Sequence, residues 1–364
     1  MKIGIMSMQR VANYGSFLQA FGLKNMLEKE GHQVCFVDYH AEKPVVPYKK
    51  IDRFLFQIKK IPFFWEIFYG CRKQYKNSFY YLYTKEYLKE LGIDLKYKYD
   101  IKVDLLIIGS DEVFNCLQSG VNVGFSRELL GDYKYAKRVV SYAASCGYTT
   151  VESIQKMNLS NQIKTYLKNF DFISVRDDNT ERFVSAFTNT KIYKNVDPVL
   201  VSNFDPYIIE KNDVSNYIIL YSYESRKYLP EEQEIILEFA NKINKKIVTI
   251  GKRQPWIKDH INATPFEFLG YIKRADFIIT DTFHGTVFSI KYNINFVTIV
   301  RKSNSNKLTD LLRHFQLENR RLENLSDLRK YYDQKIDFEN VNKVLKVDRQ
   351  NTVAYLKRVT GDEK

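Results

Sequence analysis

Short, nearly continuous apolar runs alternate with longer amphipathic stretches along most of the chain. The apolar runs predict buried strands, and the amphipathic stretches predict helices. Strands are expected at residues 2–7, 33–39, 103–110, 138–145, 171–175, 191–196, 216–223, 246–251, 276–282 and 295–300. Helices are expected at residues 17–30, 230–243, 265–275, 284–293 and 341–358. Because wholly apolar strands are typical of parallel sheets covered on both faces, the pattern predicts an α/β fold.

The strand series pauses in a polar run at residues 202–215, which separates two sets of alternating elements. The length of 364 residues also exceeds what one hydrophobic core usually serves. We therefore predict two doubly wound, Rossmann-like α/β domains that face a cleft, over residues 1–205 and 206–335. The helical stretch within residues 336–364 is expected to pack back on the first domain.

The composition is that of a globular protein, with 45% hydrophobic residues and no long low-complexity tract. No apolar run approaches the ~20 residues needed to cross a bilayer, and a predicted strand stands where a signal peptide would begin. A cytoplasmic location is therefore expected. The four cysteines are widely spaced without a CxxC pair, so they are interpreted as small apolar side chains.

A basic and aromatic insertion is predicted at about residues 44–99, and the whole chain carries a net charge of +13. Lysines and arginines alternate with phenylalanines and tyrosines over residues 47–83. Such a stretch suits peripheral contact with a membrane surface or a lipid-linked substrate. The alternative is an ordinary helical insertion that buries its aromatic rings and leaves its lysines in water. Nucleic acid is not an expected partner, since no RRM core, zinc finger or helix-turn-helix motif occurs.

Two compact polar turns each connect a predicted strand to a predicted helix. The first is NYGS at residues 13–16, and the second is DTFHG at residues 281–285. Backbone N–H groups and the positive end of the helix dipole meet at a helix start, so both turns are positioned to hold a phosphate or carboxylate. The alternative for the first turn is a helix N-cap without a ligand. Both turns lie beyond the carboxyl ends of strands, where ligands of doubly wound sheets bind.

His284 is the main candidate for catalysis. It begins a predicted helix, with Asp281 three residues before it and Gly285 directly after it. An imidazole at this point can donate to a phosphate or exchange a proton near neutral pH. Lone histidines are more often structural, but this placement favours a functional role. A metal site is not expected, because His260 and His314 have no ligand spacing with His284.

Other predicted strand ends add polar side chains to the same edge. Asp111 is a candidate general base, with a helix N-cap as the alternative that base rates favour. Arg176 presents a rigid donor fork that suits phosphate or carboxylate, with a surface ion pair as the alternative. Further candidates for substrate contacts are Gly109, Ser110, Ser141 and Tyr223.

No Walker loop or GxGxxG fingerprint occurs, so ATP and dinucleotide binding are not expected. Instead, several motifs that occur in one order resemble the polysaccharide pyruvyl transferase family. They are NYGSFLQAFGL at 13–23, DLLIIGSDEVFN at 104–115, VVSYAASCG at 139–147, FISVRD at 172–177, VDPVLV at 196–201 and FIITDTFHGTVFSI at 277–290. The resemblance extends from about residue 2 to residue 320 and leaves the basic insertion and the C-terminal tail uncovered.

The resemblance implies a GT-B-like fold and transfer of the enolpyruvyl unit of phosphoenolpyruvate to two hydroxyls of a sugar, in bacterial capsule or exopolysaccharide biosynthesis. It implies no further cofactor. The acceptor would be a lipid-linked or nucleotide-linked sugar on the N-terminal side, and the donor would bind on the C-terminal side. His284 would be the general acid or a hydrogen-bond donor to the phosphate, and Asp111, Asp281 or another group would activate the acceptor hydroxyl. Substrate contacts are expected from Asn13, Tyr14, Gly15, Ser16, Gln19, Arg176, Thr282 and Gly285.

The chain departs from the family pattern at one position. Better-studied members carry an arginine two positions before the histidine, whereas Thr282 stands there in this chain. Arg301, or Lys307 in the segment SNKLTDLL, would supply the missing charge. One alternative is a glycosyltransferase with a nucleotide-sugar donor, which would share the fold. A second alternative is a non-catalytic binding subunit of a capsule-assembly complex.

Overall fold

The computed structural model describes residues 1–46, 78–118, 123–223, 226–301 and 304–361. The chain divides into two compact units. The first unit comprises Met1–Ala12, Gln19–Pro198 and Thr352–Lys364, and the second comprises Asn13–Leu18 and Val199–Asn351. The second unit thus begins a few residues before the boundary expected from the polar run, and it includes the first polar turn. Most of the basic aromatic stretch at residues 47–83 lies outside the described residues.

The first unit contains a six-stranded parallel sheet in the order β2-β1-β3-β4-β5-β6. Its strands are β1 Lys2–Met6, β2 Gln33–Phe36, β3 Val103–Asp111, β4 Ala136–Ala144, β5 Ile173–Val175 and β6 Ile192–Lys194. All six strands were expected from their apolar runs. The residues 105–108 of β3 are fully buried, since helices and neighbouring strands exclude water from both faces of the sheet.

Helices connect these strands in the first half of the chain. They are α1 Tyr14–Lys29, α2 Phe79–Leu82, α3 Leu88–Glu90, α4 Val151–Lys156, α5 Ser160–Leu167, α6 Asp178–Ser185 and α7 Pro198–Val201. A π-helical turn, Tyr83–Tyr87, lies between α2 and α3, and a 3₁₀ turn is formed by Glu128–Leu130. Side-chain caps define two of the starts: Thr150 accepts from Ser153 N at α4, and Asp177 accepts from Thr180 N at α6.

The second unit contains a five-stranded parallel sheet in the order β11-β10-β7-β8-β9. Its strands are β7 Tyr217–Tyr221, β8 Lys246–Ile250, β9 Asp259–Ile261, β10 Ile278–Thr280 and β11 Phe296–Thr298. Its helices are α8 Pro230–Lys242, α9 Pro265–Lys273, α10 Phe283–Lys291, α11 Ser305–His314, α12 Leu328–Asp333 and α13 Phe338–Thr360. Three 3₁₀ turns complete it, at Asp205–Tyr207, Glu318–Arg320 and Leu325–Asp327.

The last helix, α13, contributes its C-terminal end to the first unit. Tyr355 Oη donates to the carbonyl of Ser141 at 2.6 Å, and Arg138 Nη1 donates to the carbonyl of Val359 at 3.0 Å. These bonds attach the end of the chain to β4. None of the helices in the described part of the chain is long and apolar enough to cross a membrane.

Each sheet has one point at which successive strands are added in opposite directions. In the first sheet this point lies between β1 and β3, and in the second it lies between β7 and β10. In open α/β sheets such points leave a crevice beyond the carboxyl ends of the strands, and ligands bind there. A functional site is therefore expected at the loops that follow β1 and β3 in the first sheet, and at the loops that follow β7 and β10 in the second.

Candidate active site

The turn that follows β10 is shaped by small and hydroxylated side chains. Thr282 is the N-cap of α10, because its Oγ1 accepts a hydrogen bond from Gly285 N at 2.8 Å. A Cβ atom at Gly285 would lie 2.1 Å from Thr280 Oγ1, so only glycine fits at this position. The side chain at the position of the family arginine therefore stabilises the start of the helix.

A buried carboxylate lies at the same strand end and holds two arginines. Asp281 is fully buried, and its Oδ1 accepts from Ser222 Oγ at 2.8 Å. Its Oδ2 lies 3.2 Å from Arg226 Nε and 3.3 Å from Arg301 Nε. Asn304 Nδ2 also donates to the carbonyl of Asp281 at 2.6 Å. Two guanidinium groups on one carboxylate leave an excess positive charge, and we call Asp281, Arg226 and Arg301 the cationic centre.

Burial raises the pKa of the Asp281 carboxyl above its ordinary value, while the hydroxyl of Ser222 and the guanidinium groups of Arg226 and Arg301 oppose this effect. The two arginines thus offset the cost of placing this carboxylate away from water. Asp281 in turn holds the two guanidinium groups in a defined orientation, so they could bind an anionic ligand.

Three basic side chains lie near the start of α10. Arg301 and Lys307 were predicted from the sequence, and Arg226 was not. Arg301 belongs to the cationic centre, and Lys307 Nζ lies 5.8 Å from the centre of the Phe283 ring. Arg226 follows β7, and its guanidinium carbon lies 6.0 Å from the centre of the Tyr223 ring. No sequence spacing connects Arg226 to His284. Tyr223, which is 37% exposed, is a candidate that the sequence predicted at this strand end.

The first polar turn packs within the second unit. Asn13 Oδ1 accepts from Ser16 N at 2.7 Å, so Asn13 caps the start of α1. Tyr14 is buried, its ring stacks on Phe268 at 4.2 Å, and its Oη donates to the carbonyl of Ala263 at 2.7 Å. These contacts anchor the turn to α9 and to the loop before it. The contact of Asn13, Tyr14 and Ser16 with a substrate stays a prediction.

Gly15 brings the two polar turns together. A Cβ atom at Gly15 would lie 2.2 Å from both Cγ and Nδ1 of His284, so the backbone of α1 packs directly against the imidazole. His284 is 7% exposed, and it lies in the first turn of α10. The pair of turns expected to form one site thus meets around a single histidine, because residues 13–18 group with the second unit.

We expect Gly15→Ala to displace the His284 ring and to lower the free energy of unfolding by about 1–3 kcal/mol, as overpacking of a filled site usually does. Urea unfolding measures this loss. The same substitution in a His284→Ala background is the control, because removing the ring relieves the clash. Equal losses in both backgrounds would show that Gly15 is not held against His284.

Several candidates of the first unit are buried and bonded within it. Arg176 is 4% exposed, with Nη1 at 2.7 Å from Asp197 Oδ2 and Nη2 at 3.9 Å from Asp111 Oδ1. Arg176 thus forms an ion pair, as the alternative interpretation had it, but the pair is buried and does not lie at the surface. A turn and not a helix follows Asp111, so the N-cap alternative for Asp111 is wrong.

The remaining candidates of the first unit lie where β1, β3 and β4 end. Ser110 Oγ donates to Ala143 O at 3.0 Å, Ser141 Oγ donates to Ser174 O at 3.0 Å, and Gln19 Nε2 donates to Ser7 Oγ at 2.9 Å. A Cβ atom at Gly109 would lie 2.2 Å from the carbonyl oxygen of Tyr142. These groups support the strand ends, and their contact with substrate stays a prediction. No group of three or more histidine, cysteine and acidic side chains suited to a metal ion occurs within the described ranges.

Comparison with known proteins identifies the family. The family model described as polysaccharide pyruvyl transferase matches residues 13–303, which include both polar turns and Arg301. The chain belongs to the polysaccharide pyruvyl transferase family. The resemblance inferred from the motifs is thus confirmed, and with it the class of activity, that of a transferase. No curated protein matches the chain by sequence.

Comparison with solved structures concerns the fold, at low sequence identity. A protein of Listeria monocytogenes assigned as a UDP-N-acetylglucosamine 2-epimerase aligns with a TM-score of 0.55 at 10% identity, covering 100% of this chain and 97% of its own. The glycotransferase of kitacinnamycin aligns at 0.49 and 12% identity, covering 98% of each chain. The expected fold class, two Rossmann-like α/β domains of the GT-B type, is confirmed for this pyruvyl transferase family member. At these identities the likeness concerns the fold alone.

Proposed function

We propose that the protein transfers the enolpyruvyl unit of phosphoenolpyruvate to two hydroxyls of a sugar and so forms a cyclic pyruvate ketal. The observation that carries this proposal is the cationic centre beside His284 at the start of α10. Arg226 and Arg301 share the buried Asp281, and they follow β7 and β11, the two strands that flank β10 in the sheet. A donor with both a carboxylate and a phosphate needs several cations at one place, and this centre offers them.

Arg301 has an unused donor for such an anion. Its Nη2 atom is buried and has no hydrogen-bond partner among the described residues. Buried donors in native proteins are almost always paired, so a bound anion would complete this group. Guanidinium groups bind carboxylates and phosphates through two parallel hydrogen bonds, which also orients the ligand. The N–H groups at the start of α10 add a further anion-binding feature.

The two arginines of the cationic centre replace the positive charge that this chain lacks at Thr282, where better-studied members of the family have an arginine. The family arginine would approach the donor from the position that caps α10 here. In this chain Arg226 and Arg301 bring guanidinium groups to the same strand end from the loops after β7 and β11. The positive charge is therefore retained, and Thr282 does not by itself argue for another donor.

His284 is proposed as the acid of the reaction. One sugar hydroxyl adds through its oxygen to C2 of the enolpyruvyl unit and gives its own proton to a general base, while an acid delivers a proton to the C3 methylene, which becomes a methyl group. The C2–O bond to phosphate then breaks, inorganic phosphate leaves, and the second hydroxyl adds to C2 and gives its proton to the departing phosphate. The imidazole of His284 would deliver the first proton or donate to the departing phosphate. Packing of Gly15 against the ring holds it in place for either step.

We further propose that the acceptor is a lipid-linked or nucleotide-linked sugar of capsule or exopolysaccharide biosynthesis, used at the cytoplasmic face of a bacterial membrane. The net charge of +13 supports attraction to anionic lipid or to a diphosphate-linked acceptor. The likeness to UDP-sugar proteins concerns the fold alone, so it does not favour a glycosyltransferase.

Ligand-induced thermal stabilisation tests the donor. Phosphoenolpyruvate at ~100 times its Kd should stabilise the protein by about 2.7 kcal/mol and raise the Tm measurably, because it binds only the folded state. Inorganic phosphate and a panel of nucleotide sugars are the comparisons. A shift with nucleotide sugars alone would make the protein a glycosyltransferase and would contradict the proposal. The absence of any shift with phosphoenolpyruvate would also contradict it.

A further inference from the structure

A cavity of about 640 Å³ lies in the first unit, beyond the carboxyl ends of β1 and β2. Residues 7–12 after β1 and 38–41 after β2 form one side of it. The other side comes from the described end of the basic insertion and includes Tyr80, Lys85 and Tyr97. This volume is within the range of about 300–1,000 Å³ that is usual for pockets that enclose small ligands. None of the candidate residues assigned above lines this cavity.

Planar side chains form a continuous stack on the cavity wall. The guanidinium carbon of Arg10 lies 4.1 Å from the centre of the Tyr97 ring. Tyr97 stacks on Tyr99 at 5.7 Å with an angle of 16° between the rings, and Tyr99 stacks on His40 at 4.0 Å with an angle of 18°. We call these four side chains the planar stack. Such a wall offers flat apolar surface together with polar edges, as aromatic binding sites do.

The charges along the planar stack are largely neutralised within the protein. Arg10 forms a two-point ion pair with Asp38, with Nε–Oδ1 at 2.5 Å and Nη2–Oδ2 at 2.8 Å. Asp38 Oδ2 also accepts from Lys98 N at 2.8 Å, and His40 Nδ1 lies 3.1 Å from Glu128 Oε2. Paired charges fix the orientation of the polar groups but attract a free anion only weakly. The wall therefore suits a neutral ligand that has both hydroxyls and an apolar face.

A sugar ring has this chemistry, since its C–H groups pack on flat apolar surface and its hydroxyls bond to fixed polar groups. We propose that this cavity is the acceptor-sugar subsite and that residues 78–99 of the insertion determine which sugar it binds. The inference rests on the proposed function, which requires a sugar acceptor. Tyr97 and Tyr99 belong to the insertion and lie outside the two sheets. The wall can therefore vary between sequences without a change in the strands that build the fold.

Saturation-transfer NMR on the full chain tests the subsite, with the methyl glycosides of galactose, glucose, mannose and N-acetylglucosamine as probes. At least one glycoside should bind, and Tyr97→Ala should weaken its binding about two- to tenfold, the usual contribution of an aromatic contact. Tyr148→Ala is the matched control, because Tyr148 is 47% exposed, Tyr97 is 48% exposed, and Tyr148 does not line the cavity. If Tyr97→Ala lowers the Tm, Tyr97→Leu is tested in its place, because leucine keeps apolar bulk but lacks the aromatic ring.

The outcomes separate the subsite from the donor proposal. Glycoside binding that depends on Tyr97 supports the subsite even if phosphoenolpyruvate fails to stabilise the protein. The absence of binding by every glycoside, or binding that Tyr97→Ala and Tyr97→Leu leave unchanged, would overturn the subsite. Stabilisation by phosphoenolpyruvate should persist in both Tyr97 variants, because the cationic centre belongs to the second unit.

Discussion

Replacing His284 by alanine is expected to lower the turnover number of pyruvyl transfer by about 10²- to 10⁴-fold, the usual contribution of a positioned general acid. The fold should remain, because the side chain lies at the start of α10, where Thr282 and not His284 caps the helix. Release of inorganic phosphate from phosphoenolpyruvate, with the glycoside that binds the cavity as acceptor, measures the effect. The Tm of the variant shows that it is folded.

The matched control for His284→Ala is His260→Ala. His260 is also a histidine of the second unit; it lies on β9, and its ring is hydrogen-bonded to Thr249 of β8 and to Asn262 directly after β9. Its substitution should leave turnover unchanged. Full activity of His284→Ala would remove the acid role assigned to His284, and the reaction would then need another proton donor at the start of α10.

Replacing Arg301 by glutamine is expected to weaken the binding of phosphoenolpyruvate about 10- to 100-fold. Hydrogen bonds to charged groups contribute about 1.5–3 kcal/mol each, and glutamine keeps a polar side chain but loses the charge and the donor fork. Arg226 continues to neutralise Asp281 in this variant, so the buried carboxylate is not left unpaired. Calorimetric titration with phosphoenolpyruvate gives the affinity directly.

Arg313→Gln is the control for the loss of one positive charge. Arg313 lies on α11, its side chain is 56% exposed, and it pairs with Asp310. Its substitution changes the net charge by the same amount without touching the cationic centre. An unchanged affinity in Arg301→Gln, or an equal loss in Arg313→Gln, would mean that general electrostatic attraction and not the cationic centre holds the donor.

Most strands could be predicted because each is a local apolar run that any parallel sheet would bury. The exception in the second unit is β9, Asp259–Ile261, where an aspartate and a partly exposed histidine replace the apolar run. Among the described strands it pairs with β8 alone and lies at the edge of its sheet, so it needs less apolar surface. Short edge strands of this kind lack a clear pattern of apolar and polar residues, so the sequence does not predict them.

The candidate site was predictable only in part. His284 and Asp281 follow from the rule that polar groups at strand ends meet at one edge, and Arg301 follows from the charge missing at Thr282. Arg226 could not be predicted, because its role depends on the adjacency of β7 and β10 in the sheet and not on any spacing in the chain. The cavity wall at Tyr97 and Tyr99 could not be predicted either, because Arg10, which stacks on Tyr97, is far away in sequence.

The sequence by itself determined most of the strands, the family and the helix start that carries His284, because each depends on residues that are neighbours along the chain. Only the tertiary structure decided that Asn13–Leu18 belongs with the second unit and that Gly15 packs on the imidazole. It also decided that Asp281 binds two arginines and that the insertion lines a cavity. These contacts join residues far apart in sequence, and packing and strand order, which no local pattern encodes, bring them together.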